Sequence, residues 1–431
     1  MARIPPAAQL HMARPPGCSR AGWVSLQLGV LFLSSSALVS GIALLLAISL
    51  WRPQQQPAPL QRPEARLLAA LSLLMLLSTA LSAKAGALAW LGLANWLPFF
   101  WFFLAVRPYL ATPQARQRLA FWLCAATVPV VVVAWLQHNF GWKGEWDALG
   151  GLIRWPMNDP ITGTSLFDNP NVTGAWLALV MPFLALRALN RQQSIAQRAV
   201  ACLLAIGSVA TLMLSASRNA IATLLLSWPW NGGRRLQWGI VMVAVLYGVL
   251  VLGRLQGWLH GPLAAVVPDA LVKKLVMLDE GVRPLQGRRQ YIYGMAWQLI
   301  LQHPLWGVGA QGFGQLYAQH VKSVLGPSTQ LVITHSHSLL LEFTVSHGLP
   351  AMLVLTVVIG RSMARCGSAC WRGLLSRGDQ GWWLAGLLLS WLHLWDVPFF
   401  DSRLNIAGWL VFAAISAMAA TAGASRSAAD R

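Results

Sequence analysis

Two histidines separated by one residue, in Thr334-His335-Ser336-His337-Ser338, are the groups best suited to moving a proton. An imidazole titrates near neutral pH, so His337 can take a proton from a hydroxyl nucleophile. A histidine at a membrane boundary also serves purely structural ends, and residue type alone leaves both readings open. Glu342 follows inside an apolar run, where a carboxylate is costly and points to function or to a buried partner. Arg218, in Ser215-Ala216-Ser217-Arg218-Asn219, either snorkels to an interface or meets an anion. Arg288 and Arg289 open a helix, whose free N–H groups and positive dipole end favour anions. Guanidinium groups match phosphate with paired hydrogen bonds, so several converging arginines would make a diphosphate clamp. Lys273 and Lys274 are weaker candidates that also read as solvated, and Asp396 and Asp401 flank the last outer loop, where either can hold an arginine. No metal is expected. Helical neighbours at i and i+2 face different ways, so His335 and His337 share an ion only if their stretch is extended. The Cys366/Cys370 pair also lacks further ligands.

These groups need a scaffold, and the composition says which kind. Hydrophobic residues make up 56% of 431 positions and charged residues 10%, too little charge to clothe a soluble surface of this size. The fold class expected is an all-α polytopic membrane protein with about twelve transmembrane helices. Apolar runs cover residues 23–51, 67–82, 85–106, 119–136, 172–189 and 236–252, with further spans at 338–359, 382–395 and 404–420. Basic residues flank both ends of 23–51, so it is read as a hairpin turning at Ser34-Ser35-Ser36. The stretch 199–230 is likewise divided at Ser217-Arg218. The first run is too long for a cleaved signal peptide and lacks a small-residue cleavage site.

The net charge of +19 would suggest nucleic acid in a soluble chain. Here most of the basic residues fall in loops that the positive-inside rule assigns to the cytoplasm, with both termini inside. Three regions follow: helices over 1–253, a large outer loop over 254–337, and closing helices with a short tail over 338–431. A second outer loop runs from about residue 137 to 171. The large loop carries seven Lys and Arg against three acidic residues, a surplus suited to an anionic lipid-anchored ligand. Within it, residues 288–303 place Tyr291, Ile292, Met295, Ala296, Leu299 and Ile300 on one face of a helix stopped by Pro304. The glycine-rich 307–314 lacks a preceding strand for nucleotide binding and reads as a flexible turn into a second helix near 313–320.

The order of these pieces resembles a known family. Phe167-Asp168-Asn169-Pro170-Asn171 opens a span, Ser217-Arg218 marks a hairpin tip, and Gly287-Arg288 opens the loop helix. His303-Pro304-Leu305-Trp306-Gly307-Val308-Gly309 follows, and His337-Ser338 with Leu341-Glu342 closes the set. Over about residues 165–350 this is similar to the O-antigen ligase and polymerase superfamily, closest to the lipopolysaccharide O-antigen ligases. The resemblance implies a GT-C-like glycosyltransferase in the bacterial inner membrane. Such an enzyme takes a glycan from undecaprenyl diphosphate and joins it to a sugar hydroxyl of lipid A–core oligosaccharide at the periplasmic face, inverting the anomeric centre without cofactor or metal. It further implies that Arg218 and Arg288 meet the diphosphate and that His337 activates the acceptor. Arg289, Asn171, Glu342, Asp396, Lys273 and Lys274 are the further substrate-binding candidates. Asn219 and Ser338 depart from the residues common in the family at those places. A polymerase, or another transferase using the same donor, is the nearest alternative. A transporter is disfavoured because the sequence shows neither an inverted repeat nor a matched pair of broken helices.

Overall fold

The computed structural model describes residues 14–51, 62–82, 84, 86–157, 163–226, 234–267, 269, 271–272, 289–326 and 333–429. Its first two helices, α1 (Arg20–Leu31) and α2 (Ala37–Ser49), form the expected hairpin, turning at the serine run. Each serine there has a task. Ser36 caps α2 by accepting the Val39 N–H, and Ser34 donates to the Ala126 carbonyl of a neighbouring helix. The hairpin closes tightly because Gly29 lies under Leu44.

Then come α3 (Pro63–Ser82), the interrupted pair α4 (Ala87–Gly92) and α5 (Leu97–Val106), α6 (Pro113–Phe140), α7 (Pro170–Leu189) and α8 (Ile195–Ser215). The short α9 (Arg218–Leu226) and α10 (Arg234–Leu255) follow, and the second hairpin turns at Ala216 and Ser217 as expected. The chain closes with α11 (Arg289–Gln302), α12 (Gly312–Leu325), α13 (Leu339–Trp371), α14 (Arg377–Trp395) and α15 (Ser402–Ala429). Each of the twelve apolar segments therefore holds helix. Among the described residues seven stretches, counting Ala87–Leu110 as one, are long and apolar enough to cross a membrane. The 137–171 loop, expected on the outer side, holds an antiparallel hairpin, β1 (Gly144–Ala148) with β2 (Ile153–Met157), that the sequence reading did not foresee. Trp155 of β2 donates to the Ser35 carbonyl, so this loop and the α1–α2 turn share one end of the bundle.

The core is aromatic and threaded by few polar groups. Trp176 and Trp382 are fully buried, Trp176 donating to Thr127 at 3.1 Å. At the opposite end of α14, buried Arg116 grips Asp379 with two bonds of 2.6 and 2.9 Å, and its remaining donors meet the Leu110 and Ala111 carbonyls.

One junction corrects two sequence expectations. The helix α13 breaks at Gly348, whose φ is +83°. Pro350 has no N–H for the Ser346 carbonyl, and the Leu349 N–H turns instead to the Pro304 carbonyl at 2.8 Å. The stranded carbonyls of Val345 and Ser346 accept from the N–H groups of Val308 (2.8 Å) and Gly309 (3.0 Å). Ser78 of α3 reaches the Trp306 and Ser346 carbonyls as well. Residues 304–309 are thus a packed strap and not a flexible turn. The α4–α5 interruption, ahead of Pro98, presses against the same strap, since a Cβ on Gly92 would meet that of Ala310 at 2.6 Å. Two interrupted helices, read from the sequence as continuous spans, therefore meet here.

Gly348 cannot take a side chain: a Cβ there would lie 2.1 Å from the Leu305 carbonyl oxygen, and φ is in the left-handed region. Gly348→Ala should destabilise the detergent-solubilised protein by on the order of 3 kcal/mol, seen in thermal melting. Gly360→Ala, inside the same helix and with a Cβ that meets nothing within 4 Å, is the control and should leave the melt unlowered or slightly raised.

Candidate active site

At the end of the bundle that holds β1–β2, a polar cavity of about 400 Å³ opens between the starts of α7 and α9, the end of α14 and the segment before α13. Asn169 caps α7 by accepting the Asn171 N–H at 2.8 Å, and both residues line the cavity. Asn219, in the first turn of α9, lines it too and donates to the Leu392 carbonyl at 3.3 Å. Two helix N-termini, each a fixed partial positive charge, thus face one space. Arg218 is exposed at the first position of α9, immediately beside Asn219. Arg289 is exposed at the first position of α11, and its charge is felt at both Tyr293 and His335. Arg288, Lys273 and Lys274 lie outside the described residues.

The histidine segment departs most from expectation. Residues 333–338 are irregular, and His337 adopts φ +54°, a conformation unusual for a side-chain-bearing residue. As a result the two imidazoles do not face apart: their centroids lie 4.4 Å apart, edge to face. Four hydrogen bonds hold the turn. The Ser336 N–H donates to Glu342 Oε2 at 2.7 Å, the Ser336 hydroxyl to the Ser338 carbonyl at 3.2 Å, and the His337 N–H to His335 Nδ1 at 3.2 Å. From α11, the Tyr293 hydroxyl donates to the His337 carbonyl at 3.2 Å. Burial raises the Tyr293 hydroxyl above its ordinary pKa, opposed by Arg289 and reinforced by Asp396, so it stays a donor.

His337 Nδ1 lies 3.4 Å from Asp396 Oδ1. Burial alone would raise the Asp396 carboxyl. The hydrogen bond and charge of His337, the Val397 N–H and His335 outweigh it and hold the group below its ordinary value. Burial, then the charge of His337, pushes His335 down to about 4, so at neutral pH His335 is a neutral acceptor for the His337 N–H. One ligand atom each of His335, His337 and Asp396 falls within 4.8 Å of the others. A possible metal donor set is thus assembled where helical spacing argued against one, although His335 Nδ1 and His337 Nδ1 already have protein partners.

The remaining candidates divide. Asn171 and Asp396 line the cavity; Glu342 does not, and its carboxylate serves Ser336 instead. Asp401 does hold an arginine, but it is Arg403, which chelates it and stacks on Phe167 at 4.2 Å. Sequence reasoning passed over Arg403, Tyr293, Asn95 and Gln311. Only the last two had a signal of any kind, as polar residues beside helix-breaking Pro98 and Gly312.

A multi-helix membrane protein with a polar, charge-lined cavity is the class that this architecture defines. Residues 203–356 match the family model described as O-antigen ligase, in agreement with the resemblance to the O-antigen ligase and polymerase superfamily. The matched segment contains Arg218, Arg289, His337 and Glu342. No curated protein matches the chain.

Two outcomes follow from this geometry. Because His337 sits at positive φ, where any Cβ is strained, His337→Gly should be about 1 kcal/mol more stable than His337→Ala in thermal melting. Because the folded pKa of His335 lies below its ordinary 6.5, its contribution to stability is intact above that pH and is lost as pH falls toward about 4. The melting temperature should therefore decline across that window, and His335→Phe should flatten the decline; an unchanged slope refutes the burial account.

Proposed function

We propose that this protein is an O-antigen ligase that transfers glycan from undecaprenyl diphosphate to a sugar hydroxyl of lipid A–core, at the periplasmic face of the bacterial inner membrane. The observation that carries this reading is the His337–Asp396 pair, whose carboxylate lines the polar cavity. With Nδ1 engaged by the carboxylate, His337 is left with Nε2 to take the proton of the acceptor hydroxyl. The hydroxyl oxygen attacks the anomeric carbon, and the carbon–oxygen bond to the diphosphate breaks with its electron pair on the leaving oxygen. Asp396 stabilises the imidazolium that forms. Attack from the face opposite the leaving group inverts the anomeric centre.

The leaving diphosphate is the larger electrostatic problem, and fixed positive charge lowers its cost. Arg218 and Arg289, with Arg288 beside it in sequence, are assigned to it, together with the N-termini of α7 and α9. Asn171 and Asn219 supply neutral donors to sugar hydroxyls. Of the three acidic groups on the cavity wall, Asp401 is neutralised by Arg403 and Asp396 is matched by His337, while Asp168 is exposed.

Asp396→Asn keeps the acceptor for the Val397 N–H and removes the charge that supports the imidazolium. Transfer by the purified protein should fall roughly 10²–10⁴-fold, with binding of the lipid-linked donor retained. Equal loss of binding and turnover would sink the general-base assignment. Loss of transfer on chelation, restored by a divalent ion, would instead assign His335, His337 and Asp396 to a metal. A strain lacking the protein should lose all long-chain lipopolysaccharide and accumulate lipid-linked glycan. Core bearing a single repeat in that strain would make the protein a polymerase.

A further inference from the structure

Behind the wall that carries His335 lies a second, much smaller cavity of about 20 Å³. It lies where the strap meets the two interrupted helices, and Asn95, Gln311, Glu342, Ser346 and His347 contribute its polar lining. Asn95, Gln311 and Phe400 line this cavity on one side and the large one on the other. His347 is 1% exposed, and among the described residues neither of its ring nitrogens has a protein partner. An imidazole buried that deeply needs a hydrogen bond. The space matches a single water molecule, whose two protons and two lone pairs can serve a carboxylate and an imidazole together.

Glu342 faces both ways at this point. It lies in the first turn of α13, one residue beyond the place where a capping-box glutamate would sit. Instead of returning to the N-cap Ser338, its carboxylate reaches two residues further back, to the N–H of Ser336. That bond draws Ser336 in over the start of the helix, and the residue between, His337, must turn through positive φ to allow it. The carboxylate is 5% exposed as a residue and stands in the same small cavity as the His347 ring.

We propose that Glu342 is a positioning residue that holds the His335–His337 segment in its turned conformation, and that a single buried water shared with His347 holds Glu342. The break at Gly348 provides for this, because it opens the helix beside His347 and admits the strap. A polar relay of His347, water, Glu342 and the Ser336 amide then links the helix break to the candidate base. Only the catalytic consequence rests on reading His337 as that base; the restraint on the segment does not.

The full-length protein tests both parts. Glu342→Gln keeps an oxygen for the Ser336 N–H, and Glu342→Ala does not. In Glu342→Ala, amide exchange of the peptide containing residues 333–341 should quicken while exchange elsewhere and the melting temperature hold. The kcat for glycan transfer should fall on the order of 10²-fold with donor KM little changed. Glu342→Gln should recover most of both, and His347→Phe, which fills the cavity and has no ring nitrogen, should resemble Glu342→Ala. A cryo-electron microscopy map that shows ordered waters should place one between the Glu342 carboxylate and the His347 ring; an empty cavity there overturns the shared water. Unchanged exchange in Glu342→Ala, or equal global loosening in the Ala and Gln variants, overturns the positioning role. Quickened exchange with undiminished transfer upholds the restraint and removes His337 from the reaction.

Discussion

Inside a bilayer no water is at hand to satisfy a stranded carbonyl, and the break in α13 strands two of them. Proline at 350 and glycine at 348 create that debt in the middle of an apolar helix. The amides of Val308 and Gly309 discharge it, with help from the Ser78 hydroxyl. Because each bond is between main-chain atoms, the approach must be close enough that Gly307 and Gly348 can carry no side chain. The segment between α10 and α13 is therefore bound into the bundle at the strap. From that anchor α11 extends on one side, bringing Tyr293 to the His337 carbonyl and Arg289 to the neighbourhood of His335. On the other side α12 begins at Gln311, which forms part of the cavity wall.

Charge is arranged along α14 in a comparable way. At its start Asp379 is gripped by two nitrogens of Arg116, in a setting where an unpaired carboxylate would be severely destabilising. Near its other end Asp396 follows the last turn and meets His337. The buried pair contributes orientation more than net stability, because desolvation consumes most of the attraction between such charges. With one end pinned, the rotation of the helix is set, and the second carboxylate emerges toward the cavity. Arg403 and Asp401 repeat the device across the short turn, with Phe167 stacked beneath the guanidinium. Two of the acidic groups on the cavity wall, Asp396 and Asp401, are in this way given an imidazole or a cation.

Backbone strain marks the histidine segment, as it does a few other described positions, Gln311 on the cavity wall among them. A residue with a Cβ at φ near +54° is uncommon, and such conformations persist only where neighbours over-determine them. Here the neighbours are identifiable: the Glu342 carboxylate upstream, His335 Nδ1 at the amide, and the Tyr293 hydroxyl at the carbonyl. They come from α13, the histidine segment itself and α11 respectively. Disturbing any one of these three elements therefore bears on the direction of a single imidazole.

Hydropathy and punctuation alone determined the helices, because a segment in lipid must satisfy its own backbone and so declares itself by length and composition. The turn at Ser34–Ser36, the second turn at Ser217, and the stop at Pro304 were all legible for that local reason. The residue types at 218, 289, 337 and 396 were legible as chemistry, since few uses other than function or pairing repay a charge at a membrane boundary. What the sequence did not carry was any relation that depends on a partner distant in the chain. The glycines at 307 and 309 looked like freedom and are in fact close packing, because the helix break that they serve lies almost forty residues away. His335 and His337 looked divergent because helical spacing was assumed, whereas Glu342 folds their segment into a turn. Asp396 was open to an arginine or nothing, and only the meeting of α14 with the α13 entry gave it a histidine. Local periodicity fixes elements through interactions a few residues apart; the site is made of contacts between elements, and tertiary packing alone decides those.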